Sequence, residues 1–243
     1  MNIDSKNILL ATDFSEISQN AAFYTLNLLN EIPHNLTLIN VIEKTSLKTD
    51  LLISIHDILM EEAANKLKEE AKKTFQLFNN SQIRIIHRSD EIDAEEYLIK
   101  LLKKRTYSLI TLGIKNNGTI EGSIASLLLQ QPWSPVLLVP QHINYTKPKE
   151  VVIIASDTKL KEIEIQQNSN SIYKLRNDNI QRIIFHREDT ENYWIELINK
   201  LISLHHITKI IFIISQGDAL DNAFRKRQMD KIYTVLPSLI IRC

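Results

Sequence analysis

Thr111-Leu-Gly-Ile-Lys-Asn-Asn-Gly-Thr-Ile-Glu-Gly-Ser-Ile-Ala-Ser126 runs from a short apolar strand, through a turn, to a glycine-serine pair that opens a helix. Three of the four glycines in the 243-residue chain fall inside it. Glycines gather where the backbone needs positive φ or where a ligand presses on amide groups, and a helix starting at Gly122-Ser123 offers its N–H groups to an anion. The stretch therefore reads as one strand-turn-helix unit of an open parallel sheet, with a phosphate-sized guest as the natural ligand.

Outward from this unit, short β-rich apolar runs alternate with longer helical patterns, as in βα units covered on both faces. Asn7–Thr12 is a buried strand, and Asp13-Phe-Ser-Glu16 leads into a helix to about Asn30, with Ser15 as N-cap and Ala22, Leu26 and Leu29 on one face. Leu36–Ile42 is a second strand. A long amphipathic helix spans about Leu51 to Phe78, and strand three is Gln82–His87. Helix three covers about Asp93 to Lys104, strand four Ser108–Leu112, helix four about Ser123 to Gln130 and strand five Pro135–Val139. Together they make a five-stranded α/β module over residues 1–141.

The periodicity lapses over 142–148, where Pro140 and Pro148 bracket a polar linker, and then restarts. Ile8-Leu-Leu-Ala-Thr-Asp13 is echoed by Val152-Ile-Ile-Ala-Ser-Asp157, Ile85-Ile-His-Arg-Ser-Asp90 by Ile184-Phe-His-Arg-Glu-Asp189, and Pro135-Val-Leu-Leu-Val139 by Pro237-Ser-Leu-Ile-Ile241. Three echoes in one order indicate an internal duplication. Asp13 to His87 spans 74 positions but Asp157 to His186 only 29, so the second copy, residues 149–243, is expected to lack one strand and its long helix. Gly113 to Pro135 and Ser215 to Pro237 both span 22, so the copies run in step beyond the gap. The fold class expected is α/β, two tandem doubly wound modules with the second truncated.

Lysine plus arginine equal aspartate plus glutamate at 29 each, so no global field recruits nucleic acid or an anionic bilayer. The one cysteine, Cys243, has no intrachain partner, which excludes a disulfide framework and a cysteine-based zinc site. The polar start and the lack of a long apolar run lead to the expectation of a soluble cytoplasmic protein.

In an open parallel sheet a ligand settles outside the carboxyl ends of the strands, where the strand order reverses. Asp13, Val41, Gly113, Gly122 and Ser123 converge there. Asp13 can accept hydrogen bonds from a ribose or base, the backbone of Val41 can read a base edge, and helix four presents N–H groups to phosphate. An aspartate after a strand also serves as an ordinary turn or capping residue, so both readings stand.

The combination of Ile8–Ser15, Leu38-Ile-Asn-Val41, Leu112-Gly113, Gly122-Ser123-Ile-Ala125 and Pro135–Pro140 resembles the universal stress protein family in its tandem form. The resemblance covers residues 5–141 and, more faintly, 149–243. It implies a sheet of order 3-2-1-4-5, a non-enzymatic stress-response role and, in one branch, ATP or AMP held by a Gly-x2-Gly-x9-Gly-Ser/Thr loop. On that carry-over Asp13 and Val41 hold the adenosine half, and Gly113, Gly122 and Ser123 hold the phosphates.

This chain departs from the pattern in the loop itself. The second glycine position is Asn116, and only five residues separate it from Gly122, so the loop is shorter by four and ill suited to enclosing a triphosphate. The second copy keeps Asp157 but has Ser215 where Gly113 stands and no glycine-serine pair before its last helix. Two functions follow, a sensor with weak or altered adenine nucleotide binding or a protein-interaction scaffold without ligand. The halves are expected to pair through Val136–Val139 and Leu239–Ile241 as an intrachain pseudo-dimer, with a homodimer and further protein partners left open.

Other signals carry less. Gly113-x4-Gly118-Thr119 lacks the lysine of a P-loop. The pairs His87/Asp90 and His186/Asp189 are explained by duplication and helix capping. His205-His206 has no third ligand at metal spacing, and Arg225-Lys-Arg227 with Lys231 reads as a solvated helix face. Ser15 and Ser18 have no His-Asp arrangement to activate them, and Trp133 and Trp194 read as packing residues. No enzyme and no metal site is expected.

Overall fold

A computed structural model describes residues 6–29, 34–40, 50–77, 81–86, 94–104, 107–115, 127–129, 134–145, 150–156, 179–185, 209–214 and 236–242. Nine strands form one sheet: β1 (Lys6–Ala11), β2 (His34–Ile39), β3 (Ser81–Ile86), β4 (Leu109–Ile114), β5 (Val136–Pro140), β6 (Glu150–Ser156), β7 (Asn179–Phe185), β8 (Lys209–Ile214) and β9 (Ser238–Arg242). Their spatial order is β3-β2-β1-β4-β5-β9-β8-β6-β7. Every adjacent pair is parallel except β5 and β9, which run antiparallel with Val136 opposite Ile240 and Leu137 opposite Leu239.

The first five strands hold the order 3-2-1-4-5 that the family resemblance implies, a Rossmann-like arrangement that reverses between β1 and β4. Three helices are described with them: α1 (Glu16–Leu28), α2 (Asp50–Leu77) and α3 (Ala94–Lys104). Residues 127–129 are helical and Leu128 is buried, inside the range expected for the fourth helix. On the far side of the seam the order is β9-β8-β6-β7, and β7 pairs with β6 over seven residues.

The pleat sends alternate residues to opposite faces. On one face Ile8, Leu10, Leu36, Leu38, Leu109, Leu137 and Val139 form a core with Ala21, Tyr24 and Leu26 of α1 and Leu67 and Ala71 of α2. The connections β1→β2→β3 both step the same way along the sheet, so right-handed crossovers place α1 and α2 side by side on that face. The step from β3 to β4 goes the other way, which assigns α3, with buried Leu98, Leu101 and Leu102, to the second face. The buried hydroxyls of Thr25 on α1 and Thr111 on β4 bond to each other at 3.0 Å, pinning α1 over β4. Among the described residues no helix is long and apolar enough to cross a membrane.

Candidate functional site

The turn between β1 and α1 is built from four consecutive side chains. Thr12 extends β1 by one bond, its N–H donating to Ile39 O at 2.9 Å, while Asn40 Nδ2 donates back to Thr12 O at 2.8 Å. These bonds tie the carboxyl ends of β1 and β2 together. Asp13 is exposed and closes an Asx turn, with both the backbone N–H and the hydroxyl of Ser15 donating to its Oδ1. Partial burial works against its charge, but the Ser15 bonds outweigh it and hold the Asp13 carboxyl below its ordinary range. Ser15 caps α1, its Oγ accepting from Ser18 N at 3.3 Å, in the role expected from the sequence.

Phe14, between them, has φ 64°, the one non-glycine residue of positive φ among those described. A Cβ disfavours that region, so its surroundings must fix it. The Phe14 N–H donates to Thr12 Oγ1 at 3.1 Å, its ring packs against the core, and the Lys66 ammonium stands 5.9 Å from the ring centre.

Thr12 is the hub that sequence reasoning missed. Its Oγ1 lies 3.1 Å from Ser18 Oγ and donates to the carboxylate of Glu70 on α2, at 3.1 Å to Oε2 and 3.3 Å to Oε1. Glu70 is half-buried. Burial pushes its carboxyl up, the Thr12 bond pulls it down, the Asp13 charge raises it again and Lys73 partly offsets that, leaving it above the ordinary value. Two carboxylates thus influence each other across the carboxyl end of β1, separated by 57 positions in sequence.

Gly113, at the end of β4, faces the first turn of α1. A Cβ there would lie 2.6 Å from Ile17 O and 2.8 Å from Ile17 C, a clash with backbone that nothing nearby can relieve. Its glycine is therefore required by helix-strand packing, whatever else the position does. Of the five residues expected at the site, Asp13 and Gly113 stand at the carboxyl ends of the neighbouring strands β1 and β4, on either side of the point where the order reverses. Val41, Gly122 and Ser123 lie outside the described residues, as do the shortened loop, the His87 and His186 motifs, His205-His206, Arg225–Arg227 and both tryptophans. Among the described residues no three His, Cys, Asp or Glu side chains are placed to hold a metal ion.

The chain matches the universal stress protein family model over residues 5–140. A crystal structure of a universal stress protein from Archaeoglobus fulgidus is similar over 99% of this chain and 97% of that one, with a TM-score of 0.60 at 15% identity, which speaks for the fold. Shorter likenesses include the universal stress protein UspA of Lactobacillus plantarum, at 20% identity over 55% of this chain and 97% of that one with TM-score 0.44. A family member from Burkholderia pseudomallei matches at 24% identity over 56% and 96% with TM-score 0.43. No curated protein matches the chain. The family is one of regulatory and binding proteins rather than enzymes. With residues 5–140 fitting the model and its sheet carrying the expected strand order, the chain belongs to the universal stress protein family.

Proposed function

We propose that the chain is a cytoplasmic stress-response protein whose first half binds an adenine nucleotide weakly or in altered form. One observation carries this: Asp13 and Gly113 flank the crevice at the carboxyl ends of β1 and β4, the place where a doubly wound sheet takes its ligand. Asp13 is ionised, exposed and fixed by Ser15, so it suits the hydroxyls of a ribose. Phosphate is served less well, because Glu70 adds a second negative charge at the same edge and the loop to Gly122-Ser123 is shortened. Val41 completes the adenosine side of the site and Gly122 with Ser123 the phosphate side.

The second half, residues 149–243, is on this reading a truncated module without ligand. Its β7 sits beside β6 in the place that β2 holds beside β1, in keeping with the loss of one strand and the following helix. On the same reading, supported by the antiparallel pairing of β5 with β9, the chain is its own pseudo-dimer, and homodimers or other protein partners would use the remaining surface.

Isothermal titration with ATP, AMP and adenosine, using Asp13→Asn and Gly122→Val as controls, tests the sensor. Heats for AMP and adenosine that exceed those for ATP and vanish with Asp13→Asn are expected. Silence with all three ligands would leave the scaffold, a reading favoured by the packing that already accounts for Gly113.

A further inference from the structure

One exposed stripe of α2 carries Glu62, Lys66, Glu69 and Lys73, spaced four, three and four positions apart. Their signs alternate, and the pattern inverts about a point between Leu67 and Lys68. Laid antiparallel against its own copy, the stripe sets Glu62 opposite the partner's Lys73 and Lys66 opposite the partner's Glu69, and symmetry repeats both contacts. Laid parallel, every charge meets its like. The neighbouring exposed stripe of Glu61, Asn65, Lys68 and Lys72 lacks this property, since Lys68 would face the partner's Asn65. Self-complementarity is what a two-fold interface demands, because residue i meets j and j meets i.

Among the described residues the large apolar side chains left in water are Phe23 on α1 and Ile58 and Leu59 on α2, at 47%, 60% and 41% exposure. Leu59 lies two turns before Lys66, on the edge of the same stripe. Both helices follow parallel strands and run side by side in one direction. Lys66 stands over Phe14, and Glu70 meets Ser18 through Thr12, so both contacts give the two helices the same offset. On that offset Phe23 stands at the height of position 75, and an antiparallel partner brings its Leu59 to position 76. The exposed apolar groups of the two copies therefore meet at heights about 1.5 Å apart. The groove of about 510 Å³ between the helices, walled by Phe23, Leu26, Lys66 and Lys73, opens along this line.

We propose that two copies of the chain associate through the α1/α2 face, about a two-fold axis at the middle of the charged stripe of α2, with Phe23 of each copy receiving the partner's Leu59. Exposed ion pairs contribute little singly, so the charges fix direction and register while the apolar contacts supply affinity. Lys66 already meets Glu62 of its own helix at 2.6 Å, an exposed contact that the partner's Glu69 extends into a ladder. The edge of β5 is closed by β9 within the chain, so this homodimer has no use of it. The association gives a surface to the homodimer left open in the proposed function and needs no nucleotide, so its absence and the absence of titration heats are separate results.

The test is sedimentation equilibrium of the full chain without nucleotide, from about 5 to 500 µM, the range of a modest interface. A monomer–dimer equilibrium is expected, weaker at high salt. Lys73→Glu turns two attractions into repulsions and should raise the dissociation constant about tenfold or more. Adding Glu62→Lys reverses the other member of each pair and should return the constant to within about threefold of the parent, a rescue that a folding defect would not give. Leu59→Ser and Phe23→Ser, both at exposed positions, should each weaken association about tenfold. A chain that stays monomeric at the highest concentration leaves the face to another occupant and overturns the proposal. So does a dimer that Lys73→Glu leaves unchanged, or one that the double variant fails to restore.

Discussion

Gly113 and Phe14 are the two residues whose backbone surroundings fix what can stand there. Gly113→Ala places a methyl 2.6 Å from Ile17 O, so α1 has to lift from β4. A loss of about 1–3 kcal/mol in urea unfolding is expected, in the absence of any nucleotide. A purely phosphate-binding glycine would show no such loss. Phe14 offers a complementary pair of variants. Phe14→Ala and Phe14→Gly both remove the ring, but only the second relieves the positive φ, so Phe14→Gly should be the more stable by about 1 kcal/mol in the same assay. Asp13 and Gly113 were legible because each sits where a short apolar strand ends, and strand ends are marked in the chain. Thr12 and Glu70 were not legible as partners, since no spacing pairs positions 58 apart. The one trace they leave is that Glu70, a charged residue, stands between Leu67 and Ala71 at the border of the apolar stripe of α2.

The helix that begins at Ser15 and the long helix that carries Glu70 respond to acid in opposite senses. The Asp13 carboxyl is held low in the folded protein, so its contribution is present above the unfolded value of 3.8 and is lost as pH falls through the lower folded value. Ser15→Ala removes the hydroxyl bond to Asp13 and the cap but keeps the backbone N–H bond, and should cost about 1 kcal/mol at neutral pH while weakening this acid dependence. Glu70 behaves in the reverse way. Its folded carboxyl binds a proton more readily than the unfolded one, so the stabilisation is complete below 4.5 and fades as pH rises through the raised folded value. In Glu70→Gln that fading should be absent, and the comparison of urea midpoints at pH 4.5 and pH 7 reads it directly. At this scale the sequence was informative: the five strands and the first three helices of the first half lie within about three residues of their expected places, because β-rich runs and helical stripes have periods that burial enforces, while the fourth helix is described only over 127–129.

For the molecule as a whole the decisive contact is the short antiparallel seam of Val136, Leu137 and Leu138 with Ile240, Leu239 and Ser238. The pairing could be anticipated from the resemblance to a family that pairs through strand five, whereas the direct pairing of β6 with β7 could not. A fragment ending at Tyr145 would leave the β5 edge unpaired, and such edges recruit other strands. Light scattering should therefore find the fragment as a dimer at concentrations where the full chain has no open β5 edge to share.

Because the strands reverse direction at that seam, the chain is bipolar. The rim where β1 and β4 terminate looks one way, and the rim where β6 and β8 terminate looks the other, so two visitors, one at each pole, could never touch. Anything that couples the two poles has to span the seam where β5 meets β9.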